Sequence, residues 1–230
     1  MIKAVFFDID GTVYDYESAD EKAQQALRDY SFRELEIAPE EFDGWIRKAR
    51  KLADSRTGAN CAATHNRLIR FQCLLELVKK PLFPHAYNMY DLYWNTMIEA
   101  AVLEPGTVEL MRDLRKRGTY IGVGTNMTAD IQYRKIEKLG IGRWIDGVVT
   151  SEEAGVEKPD VKVFWLCAEK AGAKPEECVF IGDSLEHDVK GAQAAGMHAV
   201  WYCPNGEVSD LPCPVIRDFS EYFETERSLI

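Results

Sequence analysis

The run Ala4-Val5-Phe6-Phe7 is the feature that most restricts the fold. No polar residue interrupts it, and it passes at once into Asp8-Ile9-Asp10-Gly11-Thr12. A strand apolar on both faces belongs inside a parallel sheet that helices cover on each side. Its end holds two carboxylates two residues apart, just before a glycine turn. At a separation of about 4 Å, two like charges repel by roughly 4 kcal/mol at an effective dielectric near 20. A divalent cation is the simplest group to offset that repulsion. An isolated Asp-x-Asp-Gly reads as a strand end with solvated aspartates. Placed straight after a buried strand and matched by features downstream, it reads as an active site.

The periodicity changes after Asp15. Residues 16–102 show helical stripes and no convincing strand. Ala19, Ala23, Ala26, Leu27 and Tyr30 share one face, and Phe42, Trp45, Ile46, Ala49, Leu52 and Ala53 another. Two further stripes run through Leu68, Phe71, Leu75 and Val78, and through Ala86, Tyr90, Tyr93, Met97 and Ala100. This spacing predicts a bundle of about four helices, with Pro39 and Pro84 at helix starts. From Leu103 onward, strand and helix alternate. Strands are expected at 120–124, 147–149, 178–181, 198–202 and, at an edge, 215–216. Helices are expected from Thr107, over 129–139, through Val163–Ala171, and over 189–195. Alternation at this spacing predicts an α/β fold, a Rossmann-like three-layer parallel sheet, with the helical block inserted between its first strand and the rest.

Composition narrows the function classes. The 230 residues carry a formal net charge of −10, which argues against nucleic-acid binding through Lys and Arg. No apolar run is long enough for a transmembrane helix, and the N-terminus lacks the pattern of a secretory signal. The six cysteines form no Cys-x-x-Cys pair and read as reduced thiols. A cytoplasmic location is therefore expected, with no membrane partner and no nucleic-acid polymer.

In an open parallel sheet, ligands bind beyond the carboxyl ends of the strands. The polar residues expected there are Asp8 and Asp10, Thr125 and Asn126, Lys158 before Pro159, and Asp183 with Asp188 five residues on. Singly, each has a plain alternative: Thr125 as a cap, Asn126 in a turn, Lys158 and Asp188 on a solvated face, His187 at the surface. Jointly they supply a carboxylate nucleophile, a proton shuttle, donors for phosphoryl oxygens and ligands for a cation, as phosphoryl transfer through a carboxylate requires.

With these motifs the sequence resembles the haloacid dehalogenase-like hydrolase superfamily, in its helical-cap phosphatase branch. Asp8-Ile9-Asp10-Gly11-Thr12, Thr125, Lys158-Pro159 and Gly182-Asp183-Ser184 through Asp188 are similar to the four family motifs. The resemblance implies a catalytic core of residues 1–15 and 103–230 and a helical cap of residues 16–102. It implies that Asp8 attacks phosphorus to form an aspartyl phosphate. Asp10 would protonate the leaving alkoxide and then activate water, with its pKa raised above about 3.9 by neighbouring carboxylates. Mg²⁺ would be held by Asp8, Asp183 and the Asp10 carbonyl, with Asp188 supporting its water shell. Thr125 and the Asn126 amide would hold phosphoryl oxygens, and Lys158 would neutralise nucleophile and phosphate.

The expected reaction is hydrolysis of a small phosphate monoester, a nucleotide or sugar phosphate, by a monomer or homodimer. A phosphomutase and a non-catalytic binding module on the same fold are the alternatives. Asp10 argues against a dehalogenase, where no alkoxide needs a proton. Cap lysines that could serve phosphonate cleavage read better as solvated. Specificity is expected from Tyr14 in the segment after the motif and from His65, Arg67 and Arg70 in the cap.

Overall fold

The computed structural model describes residues 1–58, 60–206 and 213–229. Two compact units divide the chain, one of Met1–Tyr16 with Val102–Ile230 and one of Glu17–Ala101.

The first unit is built on a six-stranded parallel sheet. Its strands are β1 (Ala4–Phe7), β2 (Tyr120–Thr125), β3 (Gly147–Thr150), β4 (Cys178–Gly182), β5 (His198–Tyr202) and β6 (Val215–Ile216), in spatial order β3-β2-β1-β4-β5-β6. β1 lies in the interior, with Ala4 beside Tyr120 on one flank and Cys178 on the other. All four of its residues are buried, as an unbroken apolar run requires. Ala4 and Phe6 point into a layer with Val163, Phe164, Cys167 and Phe180. On the other face Phe7 meets Phe219, which also stacks on Tyr202 with ring centroids 4.8 Å apart. Helices α5 (Thr107–Lys116), α6 (Ala129–Lys138), α7 (Ser151–Ala154), α8 (Val161–Ala171), α9 (Lys190–Ala194) and α10 (Tyr222–Glu226) complete this unit.

The second unit contains α1 (Tyr16–Leu35, whose first residue still belongs to the sheet unit), α2 (Pro39–Thr57), α3 (Arg67–Val78) and α4 (His85–Ala100). Its core is formed by Leu27, Phe42, Phe71, Leu74, Met89, Tyr93 and Trp94. The inserted segment leaves and rejoins the sheet unit at paired backbone. Tyr14 bridges Leu103 in antiparallel fashion, and the Glu104 amide donates to the Val13 carbonyl at 2.9 Å.

Each expected strand is present, lengthened by a residue at some ends. The expected helix over 189–195 is instead a π-helical turn, Leu185–Val189, running into α9. The wide turn lets Asp188 face back onto the sheet, where it is buried. Pro159 precedes the N-cap Asp160 of α8 rather than sitting in its first turn, and the Lys158–Pro159 bond is cis. Helices α7 and α10 have no counterpart in the sequence reading, because stretches of four and five residues carry too little periodicity.

Candidate active site

β1, β2 and β4 end side by side, so the polar residues that follow them meet beyond the carboxyl edge of the sheet. At the centre is Lys158, 3% exposed. Its Nζ lies 2.8 Å from Asp8 Oδ1 and 2.6 Å from Asp188 Oδ1, and donates to the Gly124 carbonyl at 3.0 Å. Burial disfavours the ammonium, but Asp188 and Asp8 outweigh it and hold the lysine charged above its ordinary range. Asn126 fixes this lysine through its backbone. Its Oδ1 accepts from the Lys158 amide at 2.7 Å, and its Nδ2 donates to the Lys158 carbonyl at 3.0 Å. That clasp is an addition to the expectation, which gave Asn126 only its amide. His187 Nδ1 also lies 3.1 Å from the Lys158 carbonyl oxygen.

The carboxylates on the β1 and β4 turns are locked by short-range devices. Thr12 Oγ1 donates to Asp183 Oδ1 at 3.0 Å and accepts from the Asp183 amide at 3.0 Å. The Trp201 indole donates to the Asp183 carbonyl at 2.7 Å. Two glycines permit the approach. Gly11 adopts φ +85°, and a Cβ there would lie 2.6 Å from Asp183 Oδ2; a Cβ on Gly182 would lie 2.3 Å from Asp188 Oδ2. Asp188 spends its other oxygen on the Ser184 amide, 3.0 Å away.

Oxygens of Asp8, Asp183 and Asp188 all lie within 4.8 Å of one another. Three carboxylates facing one ammonium leave two negative charges in excess, and hard oxygen donors suit Mg²⁺. Burial pushes the Asp8 carboxyl up to about 7, against the pull of Lys158 and with help from Asp188, Asp183 and Asp10. Asp183 is likewise raised, by burial first and Asp188 next. Both shifts mark negative charge awaiting a cation, so the donor set fits one.

Asp10 corrects an expectation. Its carboxyl is held below the ordinary range, not above it. Burial acts to raise it, but Lys135 and hydrogen bonds from Lys135, Tyr14 and Gln132 prevail. Lys135, 1% exposed, places Nζ 2.5 Å from Asp10 Oδ1. Gln132 Nε2 donates to Asp10 Oδ2 at 3.2 Å and to Thr125 Oγ1 at 2.7 Å. Thr125 therefore accepts from Gln132, and its hydroxyl hydrogen is left for another acceptor. Tyr14, expected among the specificity residues, is fully buried with its hydroxyl donating to Asp10. An aromatic ring packed at 0% exposure supports the carboxylate and offers no free face to a ligand.

Lys135, Gln132 and Thr12 were not singled out by the sequence reading. Gln132 and Lys135 stand at i, i+3 on α6, a spacing that puts them on one face. A glutamine and a lysine on the face expected to be apolar were the available signal. The three expected specificity residues of the inserted unit lie apart from this set: His65 ends a 3₁₀ turn, and Arg67 and Arg70 occupy α3, buried rather than solvated.

A family model described as haloacid dehalogenase-like hydrolase matches residues 2–196. Ribulose-1,5-bisphosphate 5-phosphatase of Halopiger xanaduensis is 34% identical over 210 residues, 90% of this chain and 87% of that protein. Glyceraldehyde 3-phosphate phosphatase of Methanothermobacter thermautotrophicus is 34% identical over 87% of this chain and 85% of its own. Among solved structures, a 2-haloacid dehalogenase from Pseudomonas syringae pv. Tomato DC3000 superposes with TM-score 0.82 at 26% identity, covering both chains fully.

Proposed function

The chain belongs to the haloacid dehalogenase-like hydrolases and is a phosphatase of that family, and from this premise we propose that it hydrolyses a small sugar or nucleotide phosphate through an aspartyl phosphate, with Mg²⁺. The observation that carries the proposal is Lys158, buried between Asp8 and Asp188 at 2.8 and 2.6 Å. An ammonium there screens a nucleophilic carboxylate from an incoming phosphate dianion. Names of the relatives favour a phosphorylated sugar or triose over a nucleotide.

In the first half-reaction an Asp8 oxygen forms a bond to phosphorus as the bond to the leaving oxygen breaks, and Asp10 gives that oxygen its proton. In the second, Asp10 takes a proton from water as the water oxygen attacks phosphorus and releases Asp8. The Lys135 contact keeps Asp10 a carboxylate at rest, which is the form the second half needs. In the first half, negative charge developing on the leaving oxygen raises the affinity of Asp10 for a proton. The Thr125 hydroxyl, oriented by Gln132, donates to a phosphoryl oxygen. Asp8, Asp183 and the Asp10 carbonyl would hold the cation, with Asp188 behind them. The bound ion supplies charge neutralisation that keeps Asp8 ionised. A halide leaves without a proton, so an acid held by Lys135, Tyr14 and Gln132 has no task in dehalogenation.

The test is release of inorganic phosphate from an aryl phosphate with and without Mg²⁺. Turnover should need the metal. Asp8→Asn should lower it by at least 10³-fold, in line with the loss of a nucleophile that acts as part of a unit. Full activity in Asp8→Asn, or metal-independent turnover, refutes the proposal.

A further inference from the structure

Helix α3 of the inserted unit opens against the usual electrostatic pattern. A helix N-terminus carries the positive end of the dipole, where Asp and Glu stabilise and cations do not. α3 has no acidic residue in its first turn and places Arg67 there, with Arg70 one turn on. Both are buried, at 7% and 9% exposure. The Arg67 guanidinium lies over the rings of Tyr93 and Trp94, 5.4 and 5.6 Å from their centroids.

Arg70 is the anomaly. Its Nε is sealed from solvent and meets no hydrogen-bond acceptor. Among the described residues no carboxylate pairs with its guanidinium. Burial presses its pKa down to about 10, with Arg67 and Arg50 pressing the same way; Tyr93 and Asp54 oppose them more weakly. A desolvated cation without an acceptor is costly, and such conflicts with local rules mark functional positions. Two guanidinium groups, a third arginine nearby and a helix dipole hold more positive charge than one carboxylate offsets. A phosphoryl dianion matches that charge, and its oxygens match the donor fork of arginine.

We infer that the start of α3, at Arg67 and Arg70, is a binding site for a phosphoryl dianion. The dianion has two sources, a second phosphoryl group on the substrate or free inorganic phosphate; the first rests on the proposed phosphatase activity, the second does not.

Nitrogen-15 NMR of the full chain reads the site directly. The Arg70 Nε–H signal is assigned by its loss in Arg70→Lys and then titrated with inorganic phosphate. The signal should move saturably at millimolar phosphate, and Arg67→Met should weaken that affinity at least tenfold. No movement overturns the inference, as does a response to malonate without one to phosphate, or a phosphate affinity that Arg67→Met leaves unchanged. Kinetics then separates the sources. A tenfold or greater rise, in Arg70→Met, of KM for a sugar bisphosphate relative to its monophosphate assigns the anion to the substrate. An unchanged ratio, with the NMR shift present, assigns it to free phosphate. Absence of any phosphatase turnover would refute the proposed activity while the phosphate titration still decides this site.

Discussion

At the scale of single residues, two aspartates two positions apart have opposite electrostatics. Asp8 is pushed up to about 7 and Asp10 is held down, because Lys158 must serve Asp8 and Asp188 together whereas Lys135 serves Asp10 with Tyr14 and Gln132 beside it. Two predictions follow from the signs. A cation that requires ionised Asp8 must displace a proton below pH 7. The apparent Mg²⁺ affinity should therefore rise about tenfold per pH unit up to near pH 7 and then level off. Calorimetric titration in buffers of different ionisation enthalpy would show the released proton. The same shift makes Asp8 stabilising for the metal-free fold below its unfolded value near 3.8, and that contribution is lost as pH rises through about 7. For Asp10 the sign is reversed. Lys135→Met should raise its pKa and move the acidic limb of phosphoenzyme hydrolysis to higher pH by about one unit or more, on the order expected for losing a close opposite charge. Single-turnover decay of the phosphoenzyme across pH measures it, and an unmoved limb would show that Lys135 does not govern Asp10.

At the scale of elements, hydrophobic periodicity exposed most of the fold and the order of the site. β1 and β5 were legible because their apolar runs are unbroken, and Asp8, Asp183 and Lys158 because each stands just beyond a strand or loop punctuated by Gly or Pro. Supports were not legible. The bond from Tyr14 to Asp10 and the reach of Lys135 into the site depend on how α6 packs over β2, which no local pattern encodes. The sign of the Asp10 shift failed for the same reason: it was argued from the carboxylates nearby in sequence, and the deciding cation comes from position 135. A local element property can be tested alone. Asn66 caps α3 by accepting from the Leu68 and Ile69 amides at 3.0 and 3.3 Å. Asn66→Ala should cost about 1 kcal/mol of stability, the ordinary value of an N-cap, read from denaturant unfolding.

At the scale of the whole molecule, every residue of the proposed cation and phosphoryl machinery belongs to the sheet unit, and the inserted unit hangs from the paired backbone at Tyr14 and Leu103. Replacing residues 17–101 by a short Gly-Ser linker should leave a sheet unit that melts cooperatively and binds Mg²⁺ with affinity within about tenfold of the intact chain, since long segments between closed ends are tolerated. Isothermal titration of the spliced protein measures this; loss of cooperative melting would show that the sheet unit depends on the insertion.

The register of β1 has a consequence for biosynthesis. Ala4 pairs with Tyr120 and Cys178, separations of 120 − 4 = 116 and 178 − 4 = 174 residues. At roughly 5–20 residues per second on the ribosome, the β1 segment is finished some 6 to 23 s before its first partner strand is even begun. An apolar Ala-Val-Phe-Phe segment therefore waits through synthesis of the helical insertion, and Asp8 waits with it. The nascent chain is most vulnerable to misassociation in that interval, and a helical insertion that folds on its own during it shortens the distance β1 must later close.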